Sequence, residues 1–348
     1  MSTRPTPPSA KSGTPRAPLS QPASSSVPAQ LCGSTYEPDS ICKLRFTGSR
    51  RFVLVIAKEF DYQRPATLEE ATAILVAHPG ETTRILAGGT DLVAWLRDDA
   101  VAPDLVVDIK DIPDLRDIRM EGDTLHLGSL TTFTDLIESD IVEEHAPLLI
   151  EMASTVASAG IRNRATMVGN ICSAVPSCDA GPVLLALDTT VHLAGPGGAR
   201  SVHIDDWFVG LRQTALTDDE VVTHVTIKLQ EHGGAYVKLM RYAGEDLAQA
   251  AVGIVVYPDH DYRVAFGAVA PTPIRSARIE EALAGKPLDE SLIAEVVGMV
   301  PDEISPITDM RATAEYRTHM CQVMLKRGLE AAVQRLAGIG PAYETRLI

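Results

Sequence analysis

The chain has 348 residues, and its 46 Asp and Glu against 31 Lys and Arg give a formal net charge of −15 at pH 7. This acid excess argues against duplex nucleic acid or an anionic membrane as the main partner, because both carry negative phosphate. A hydrophobic content of 45% with 22% charged residues is typical of a globular protein. The length predicts about two domains, and the absence of an apolar run of about 18 residues predicts no membrane-spanning helix.

Five cysteines are scattered along the chain without a Cys-x-x-Cys pair: Cys32, Cys42, Cys172, Cys178 and Cys321. Few, odd-numbered and widely spaced cysteines argue against a disulfide scaffold and predict a reducing, cytoplasmic location. The missing pairs also argue against a cysteine-rich zinc or iron–sulfur site. We therefore expect no metal ligands in this chain.

The first 52 residues are predicted to be a disordered tail. Residues 1–30 are dominated by Pro, Ser, Thr and Ala and contain no acidic residue. Such a segment cannot bury enough apolar surface to offset the entropy of ordering it. It lacks the apolar core of a secretory signal. Its basic, Ser-rich character has a slight likeness to an organelle transit peptide, but a flexible extension is the interpretation that we favour.

Residues 53–111 are predicted to alternate strands and helices. The apolar run over 52–57 indicates a strand. Thr67 and Glu70 form a capping-box pattern that opens a helix, and residues 78–80 end it. The segment TRILAGGTDLVAWLRDD then indicates strand, glycine turn and helix, and DLVVDI indicates a third strand. Crossover connections of this kind imply parallel strands.

Residues 112–231 are predicted to form an antiparallel subdomain with helices on one face. A turn over 121–123 and the GPGG turn over 195–198 each indicate a hairpin. Thr132 with Asp135 can cap a helix, and residues 146–158 have a helical, apolar pattern. EVVTHVTIKL adds one more strand, and the glycines at 233–234 are predicted to be a loop.

The segment after residue 232 is predicted to be a third unit. AYVKLM, AAVGIVVY and YRVAFGAVA indicate a small antiparallel sheet, and three helices are expected over 276–284, 289–298 and 313–336. The segment over 267–273 carries no titratable group and is assigned to structure, as a strand that ends in a proline-fixed extended stretch. Residues 339–348 are expected to be a tail.

The first motif with chemical potential is the glycine turn LAGGTDL, which joins a predicted strand to a predicted helix. The unpaired N–H groups at the start of a helix suit a diphosphate, and Thr90 adds a hydroxyl donor. Neither the GxGxxG fingerprint nor a GK[ST] sequence is present. Asp91 would repel phosphate, so it is predicted to cap the helix. A purely structural strand-to-helix connection is the alternative.

The second motif runs over 161–171 and continues to 176–179. It is predicted to be a long irregular stretch, and long ordered loops are often functional. Thr166, Gly169 and Asn170 offer a hydroxyl, bare backbone and an amide, and Asp179 can accept a hydrogen bond from a ribose hydroxyl. A structural loop with an Asn-stabilised turn is the alternative.

Four motifs occur in the order LAGGTDL, IRNRATMVGNICSAVPSCD, GAVAPTPIR and PITDMRATAEYR. Together they resemble those of the FAD-binding medium subunit of molybdenum hydroxylases, the family of xanthine and carbon monoxide dehydrogenases. The resemblance covers about residues 57–336. It implies an α+β fold: a PCMH-type FAD-binding domain over 53–231, with subdomains at about 53–111 and 112–231. A C-terminal domain over 232–338 would add a small antiparallel sheet with three helices.

The resemblance also implies which residues bind FAD. Asp179 matches a ribose-contacting acid, Lys238 matches a lysine near the isoalloxazine, and Val156 and Val222 match residues that pack near the flavin. The implied contacts are Ile85, Leu86, Ala87, Gly88, Gly89, Thr90, Asp91, Leu92, Val156, Thr166, Met167, Val168, Gly169, Asn170, Asp179, Val222 and Lys238. No residue of this chain is implied to be catalytic.

Val168 departs from the family pattern, because it stands where the first of two glycines is usual. A β-branched residue tolerates fewer backbone angles and adds bulk. Two consequences are open: weaker FAD binding, or a ligand that uses only the backbone of Gly169 and Asn170.

The implied enzyme is an oxidoreductase with a large molybdenum-cofactor subunit, a small subunit with two-iron, two-sulfur clusters, and this FAD subunit. A dimer of such heterotrimers is expected, with electrons passing from the clusters through FAD to NAD⁺ or another acceptor. The substrate would be a purine, an N-heterocycle or an aldehyde. The cofactor supplies the redox chemistry. Two alternatives are a stand-alone FAD oxidoreductase on the same flavin fold and a scaffold subunit without flavin.

Overall fold

The computed structural model describes residues 56, 58–78, 82–242 and 245–348, which fall within one compact unit over 54–348. The tail predicted over 1–52 lies outside these residues. So do most of the strand predicted over 52–57 and the Pro79-Gly80 end of the first helix.

The first subdomain is a three-stranded parallel sheet with two helices. Its elements are β1 (Asp61–Gln63), α1 (Leu68–Ala77), β2 (Thr83–Leu86), α2 (Leu92–Arg97) and β3 (Leu105–Asp108). The buried strand β3 lies in the centre and pairs in parallel with β1 and β2. The parallel arrangement inferred from the crossovers is therefore confirmed, whereas β1 is a strand that the sequence analysis did not predict.

The second subdomain is a five-stranded antiparallel sheet, order β4-β5-β10-β6-β7, with six helices and a small hairpin, β8–β9. Its elements are β4 (Ile118–Glu121), β5 (Thr124–Gly128), α3 (Phe133–Ile137), α4 (Asp140–His145), α5 (Pro147–Ser154), α6 (Ala159–Arg162), α7 (Met167–Ser173), α8 (Ala180–Ala186), β6 (Thr190–Gly195), β7 (Gly198–His203), β8 (Phe208–Gly210), β9 (Gln213–Thr214) and β10 (Val221–Lys228).

The second motif is not the predicted irregular stretch, because α6 and α7 occupy much of it and α8 begins directly after it. The first two helices have four and seven residues, which is too short for a clear amphipathic period. Every residue of α8 is buried, so it has no polar face to reveal it. Tertiary packing stabilises these helices more than local preference does.

The C-terminal unit is a four-stranded antiparallel sheet, order β11-β12-β13-β14, with the three predicted helices. Its elements are β11 (Gly233–Leu239), β12 (Ala250–Tyr257), β13 (Asp261–Gly267), β14 (Ile274–Arg275), α9 (Ala277–Leu283), α10 (Glu290–Glu303) and α11 (Ala314–Leu336). The helix α11 packs on β11 and β12, and α8 packs on β12 and β13. Because α11 of the C-terminal unit and α8 of the second subdomain both pack on β12, every residue of this strand is buried.

The glycines at 233 and 234 begin β11 and do not form the predicted loop. A Cβ atom on Gly233 would overlap the carbonyl oxygen of Ala332 in α11, and one on Gly234 would lie 2.7 Å from a methyl group of Leu148 in α5. Helices approach this end of the strand from the second subdomain and from the C-terminal unit. The glycines are therefore explained by close packing and not by a turn.

A buried ion pair ties α5 of the second subdomain to α11 of the C-terminal unit. Glu151 and Arg335 have side chains that are each 4% exposed, and their closest atoms, Oε2 and Nη2, lie 2.7 Å apart. The Glu151 carboxylate also accepts hydrogen bonds from the backbone N–H groups of Tyr236 and Glu344. The Arg335 guanidinium lies 4.1 Å from the ring centroid of Tyr343. The segment predicted to be a tail is thus anchored at residues 343 and 344.

Candidate functional site

Both glycine-containing motifs line one cavity of about 930 Å³ between the first and second subdomains. This volume lies in the range of about 300–1,000 Å³ that is common for small-molecule and cofactor sites. The predicted contacts on its wall are Ile85, Ala87, Gly88, Gly89, Thr90, Asp91, Leu92, Val156, Thr166, Val168, Gly169, Asn170, Asp179 and Val222. Three predicted contacts do not line it: Leu86, Met167 and Lys238.

The first turn, residues 86–92, contacts the segment just before the second turn, residues 165–170, and the contact is made at a glycine. A Cβ atom on Gly88 would overlap the backbone carbonyl of Arg164, which directly precedes the second turn. Gly89 has a φ of +81°, in the left-handed region that favours glycine. The two glycines are thus required for different reasons. Gly88 allows one backbone segment to touch another, and Gly89 adopts the left-handed backbone of the turn that leads into α2.

Asp91 does not cap α2 as the sequence analysis predicted. Its backbone is already helical, with φ −86° and ψ −50°, and its side chain makes no capping bond. A capping side chain needs the extended backbone that an N-cap residue usually has. The Asp91 carboxylate instead accepts a hydrogen bond of 2.6 Å from the Ser173 hydroxyl in α7. This contact joins the first turn to the helix that follows the second turn.

The second turn, residues 165–170, begins α7. The Thr166 hydroxyl caps this helix by accepting a hydrogen bond of 2.9 Å from the backbone N–H of Gly169. A Cβ atom on Gly169 would lie 2.6 Å from the same hydroxyl oxygen. Val168 lies in the first turn of α7 and is 2% exposed. A right-handed helical backbone accepts a β-branched residue, so valine is compatible with the fold at this position.

A neighbouring segment holds the second turn in place. The backbone N–H of Phe133 donates to the carbonyl of Ala165 at 3.0 Å, and that of Met167 donates to the carbonyl of Thr131 at 3.1 Å. On its other side, the Asn170 side chain accepts a hydrogen bond of 3.1 Å from the backbone N–H of Ala180 at the start of α8. The asparagine therefore has a structural role beside any contact with a ligand.

Asp179 and Lys238, both predicted to contact FAD, form a buried ion pair. The Lys238 ammonium lies 3.0 Å from the Asp179 carboxylate and donates at 2.9 Å to the carbonyl of Thr155. The Lys238 side chain is 1% exposed and lies behind Asp179. The Tyr236 hydroxyl donates to the same carboxylate at 2.7 Å.

Burial and the two polar partners shift the pKa of Asp179 in opposite directions. Burial raises the pKa of the Asp179 carboxyl, while the charge of Lys238 and the Tyr236 hydrogen bond oppose that rise. Burial and the nearby carboxylate raise the pKa of Tyr236 well above its usual value, so its hydroxyl remains a donor. The ribose contact predicted for Asp179 and the flavin contact predicted for Lys238 both stay predictions.

Burial is also the main cause of the raised pKa values of the two cysteines near the second turn. It raises the pKa of Cys172 to about 12 and the pKa of Cys178 further still. Both are therefore thiols at neutral pH, which suits packing better than metal binding or nucleophilic chemistry.

The structure adds cavity residues that the motifs did not reveal. Trp95 of α2 and Arg212, between β8 and β9, face each other from different subdomains, with the guanidinium 5.0 Å from the ring centroid. Ser129, directly after β5, is also on the wall. No local sequence pattern marks these three, because each reaches the cavity only through tertiary packing.

Comparisons with known proteins identify the family. The model of the FAD binding domain in molybdopterin dehydrogenase matches residues 58–228, and that of the CO dehydrogenase flavoprotein C-terminal domain matches residues 235–332. The carbon monoxide dehydrogenase medium chain of Hydrogenophaga pseudoflava is 34% identical over 289 residues, 81% of this chain and 100% of the relative. The xanthine dehydrogenase FAD-binding subunit of Escherichia coli O157:H7 is 33% identical over 285 residues, 80% of this chain and 97% of the relative.

A solved structure supports the same family assignment. The carbon monoxide dehydrogenase of Hydrogenophaga pseudoflava, in a form that lacks the Mo-pyranopterin moiety of the molybdenum cofactor, matches with a TM-score of 0.78 at 34% identity. The match covers 81% of this chain and 99% of that chain. The chain therefore belongs to the FAD-binding medium subunits of the molybdenum hydroxylases, which are oxidoreductases. The predicted family and α+β fold class are confirmed.

No helix within the described part of the chain is both long enough and apolar enough to cross a membrane.

Proposed function

We propose that this chain is the FAD-carrying electron-transfer subunit of a molybdenum hydroxylase that oxidises a purine, an N-heterocycle or an aldehyde. Electrons would arrive from the two-iron, two-sulfur clusters of a small partner subunit. They would leave to NAD⁺ or another acceptor. The molybdenum cofactor would belong to a large partner subunit, and the assembly would be a cytoplasmic dimer of heterotrimers. The flavin domain would span about 53–231 and the C-terminal domain about 232–338.

The observation that carries this proposal is the convergence of two distant turns on one cavity. Gly88 and Thr166 both line a space of about 930 Å³. The Ser173–Asp91 hydrogen bond and the contact of Gly88 with Arg164 hold the two turns together. A Cβ atom at position 88 would disrupt this junction. The size of the space and its mixture of hydroxyl, amide and backbone groups fit a dinucleotide.

The residues of this chain would bind and orient FAD. The hydroxyls of Thr90 and Thr166 and the glycine backbone offer hydrogen bonds to polar groups of the ligand. Val156 and Val222 provide apolar wall that excludes water. A bound FAD supplies the two-electron redox chemistry and its division into single-electron steps. The Asp179–Lys238 pair would fix the polarity of one side of the site without transferring a proton.

The first test measures flavin in the purified chain. We expect yellow protein with close to one FAD per chain, or apoprotein that regains this content when FAD is added, as read from its absorbance spectrum. A folded chain that stays colourless with excess FAD would overturn the proposal and favour the scaffold interpretation.

The second test separates a subunit from a stand-alone enzyme. The chain is expressed alone and with its candidate large and small partners, and each preparation receives a purine, an N-heterocycle or an aldehyde. We expect loss of flavin absorbance only in the complex, with NADH formed if NAD⁺ is the acceptor. Turnover by the isolated chain would instead support the stand-alone oxidoreductase.

A further inference from the structure

Ser129 carries a buried hydroxyl that the fold leaves without a partner. The residue is 3% exposed and lines the cavity between the two turns. Its Oγ atom has no hydrogen-bond partner among the described residues. Burying a hydroxyl without a hydrogen bond is unfavourable, and most buried polar side-chain atoms in proteins are paired. Because Ser129 is part of the cavity wall, a molecule bound in the cavity is a candidate for the missing partner.

The backbone around Ser129 is fixed by hydrogen bonds to neighbouring segments. The N–H of Ser129 donates to the carbonyl of Thr223 in β10 at 2.9 Å, and the N–H of Leu130 donates to the carbonyl of Leu115 at 2.6 Å. Gly128 has no room for a Cβ atom, which would overlap the same carbonyl of Leu115. The segment that follows, 131–133, is the one that holds the second turn. Ser129 is therefore part of the rigid frame of the cavity.

We propose that the Ser129 hydroxyl donates a hydrogen bond to an acceptor atom of the FAD dinucleotide. This inference rests on the proposed function, since it requires FAD in this cavity. It makes Ser129 a binding residue outside both glycine-containing motifs. The hydroxyl is paired only when the ligand is present, so its contribution belongs to the complex and not to the free chain.

Two other orphan hydroxyls provide the comparison. Thr131 and Thr189 are fully buried, and their Oγ1 atoms also lack a partner among the described residues. Neither lines the cavity. Thr189 lies just before β6, away from the second turn, so Thr189→Val removes an orphan hydroxyl of similar burial without touching the site.

The test compares Ser129→Ala, Thr189→Val and the unchanged full chain by FAD titration and by thermal unfolding with and without FAD. For Ser129→Ala we expect the Kd for FAD to rise about 3- to 10-fold, as for loss of one neutral hydrogen bond. We expect the melting temperature of its flavin-free form to be unchanged or higher, because an unpaired polar atom is gone. The increase in melting temperature caused by FAD should shrink accordingly. Thr189→Val should leave the Kd unchanged.

The failures of the two proposals can be told apart. If the unchanged chain does not bind FAD, the proposed function fails and Ser129 loses its ligand with it. If the unchanged chain binds FAD and Ser129→Ala has a Kd within twofold of it, only the Ser129 contact is overturned. A lower melting temperature of flavin-free Ser129→Ala would also overturn it, because the hydroxyl would then have a partner within the protein.

Discussion

The two walls of the cavity are built in different ways. The position of the first turn depends on the lack of a side chain at Gly88, which lets its backbone touch that of Arg164. The second wall keeps its position through polar groups, with Thr166 capping α7 and the Asp179–Lys238 pair buried behind the surface. Steric fit therefore shapes one side of the site, whereas hydrogen bonds and charge shape the other. Substitutions on the two sides should therefore fail for different reasons.

The largest effect is expected from Lys238→Met, behind the polar wall. The substitution removes the ammonium that balances Asp179 and leaves a carboxylate buried without its cation. Breaking such a pair typically costs about 3–5 kcal/mol in the free energy of unfolding, which urea denaturation would measure. Lys326→Met is the matched control, because Lys326 is exposed and 4.0 Å from Glu330, and such a surface pair contributes less than about 1 kcal/mol.

The same variant should show a changed pH dependence. Burial already raises the pKa of Asp179 in the unchanged chain, and loss of the opposing Lys238 charge would raise it further. A raised folded-state pKa contributes stability at low pH that is lost as the pH rises through it. Lys238→Met should therefore recover stability relative to the unchanged chain as the pH is lowered. If the loss of stability in Lys238→Met does not change with pH, an unpaired negative charge on Asp179 is not the cause of that loss.

The next largest effect is expected from Gly88→Ala on the steric wall. The added methyl group meets backbone that cannot rotate away, so the turns must separate. Overpacking of this kind costs about 2–3 kcal/mol, and FAD affinity should fall with it. Gly160→Ala is the control, because Gly160 lies in α6 close to the second turn and its Cβ would meet nothing nearer than 4.0 Å. A Gly88→Ala protein as stable and as flavin-rich as Gly160→Ala would show that the turns do not depend on this contact.

Thr166→Ala should have a smaller effect, about 1–2 kcal/mol, because it removes the N-cap of α7. Thr313→Ala makes the same chemical change at the N-cap of α11, far along the chain. Both variants should lose similar stability in denaturation, but only Thr166→Ala should also weaken FAD binding. Equal FAD affinities would mean that the Thr166 hydroxyl serves the helix alone.

Ser173→Ala should have the smallest effect. It removes the hydrogen bond to Asp91, but both groups are only partly buried and water can replace the lost partner. We expect a loss of about 0.5–1 kcal/mol. A double-mutant cycle with Asp91→Asn would isolate the coupling between the two turns. A coupling energy near zero would mean that the Gly88 contact alone joins them.

Sequence patterns predicted the features that are determined by residues close together in the chain. The capping box at Thr132 and Asp135 was predicted from two residues three apart, and the structure contains both of its hydrogen bonds. The glycine turn before α2 was predicted because glycines between a strand and a helix have a specific backbone meaning. In both examples the determining atoms lie within a few residues of one another.

What the sequence did not show depends on contacts between distant residues. The Asp179–Lys238 pair joins positions 59 residues apart, and both had been assigned separately to the ligand. The fully buried α8 lacks a polar face, so no period distinguishes it from a loop with apolar residues. Ser129 resembles any serine at the end of a strand until the cavity beside it is seen. Family resemblance supplied the site residues, but their mutual contacts required the fold.

The Glu151–Arg335 pair has a consequence for how the chain folds during its synthesis. Its two residues are 184 positions apart, so at about 5–20 residues per second the ribosome needs roughly 10–40 s to add the second after the first. During that interval the carboxylate of α5 has no cation, and it gains most by staying hydrated. Closure of the second subdomain around Glu151 is therefore expected to follow the emergence of Arg335 from the ribosome.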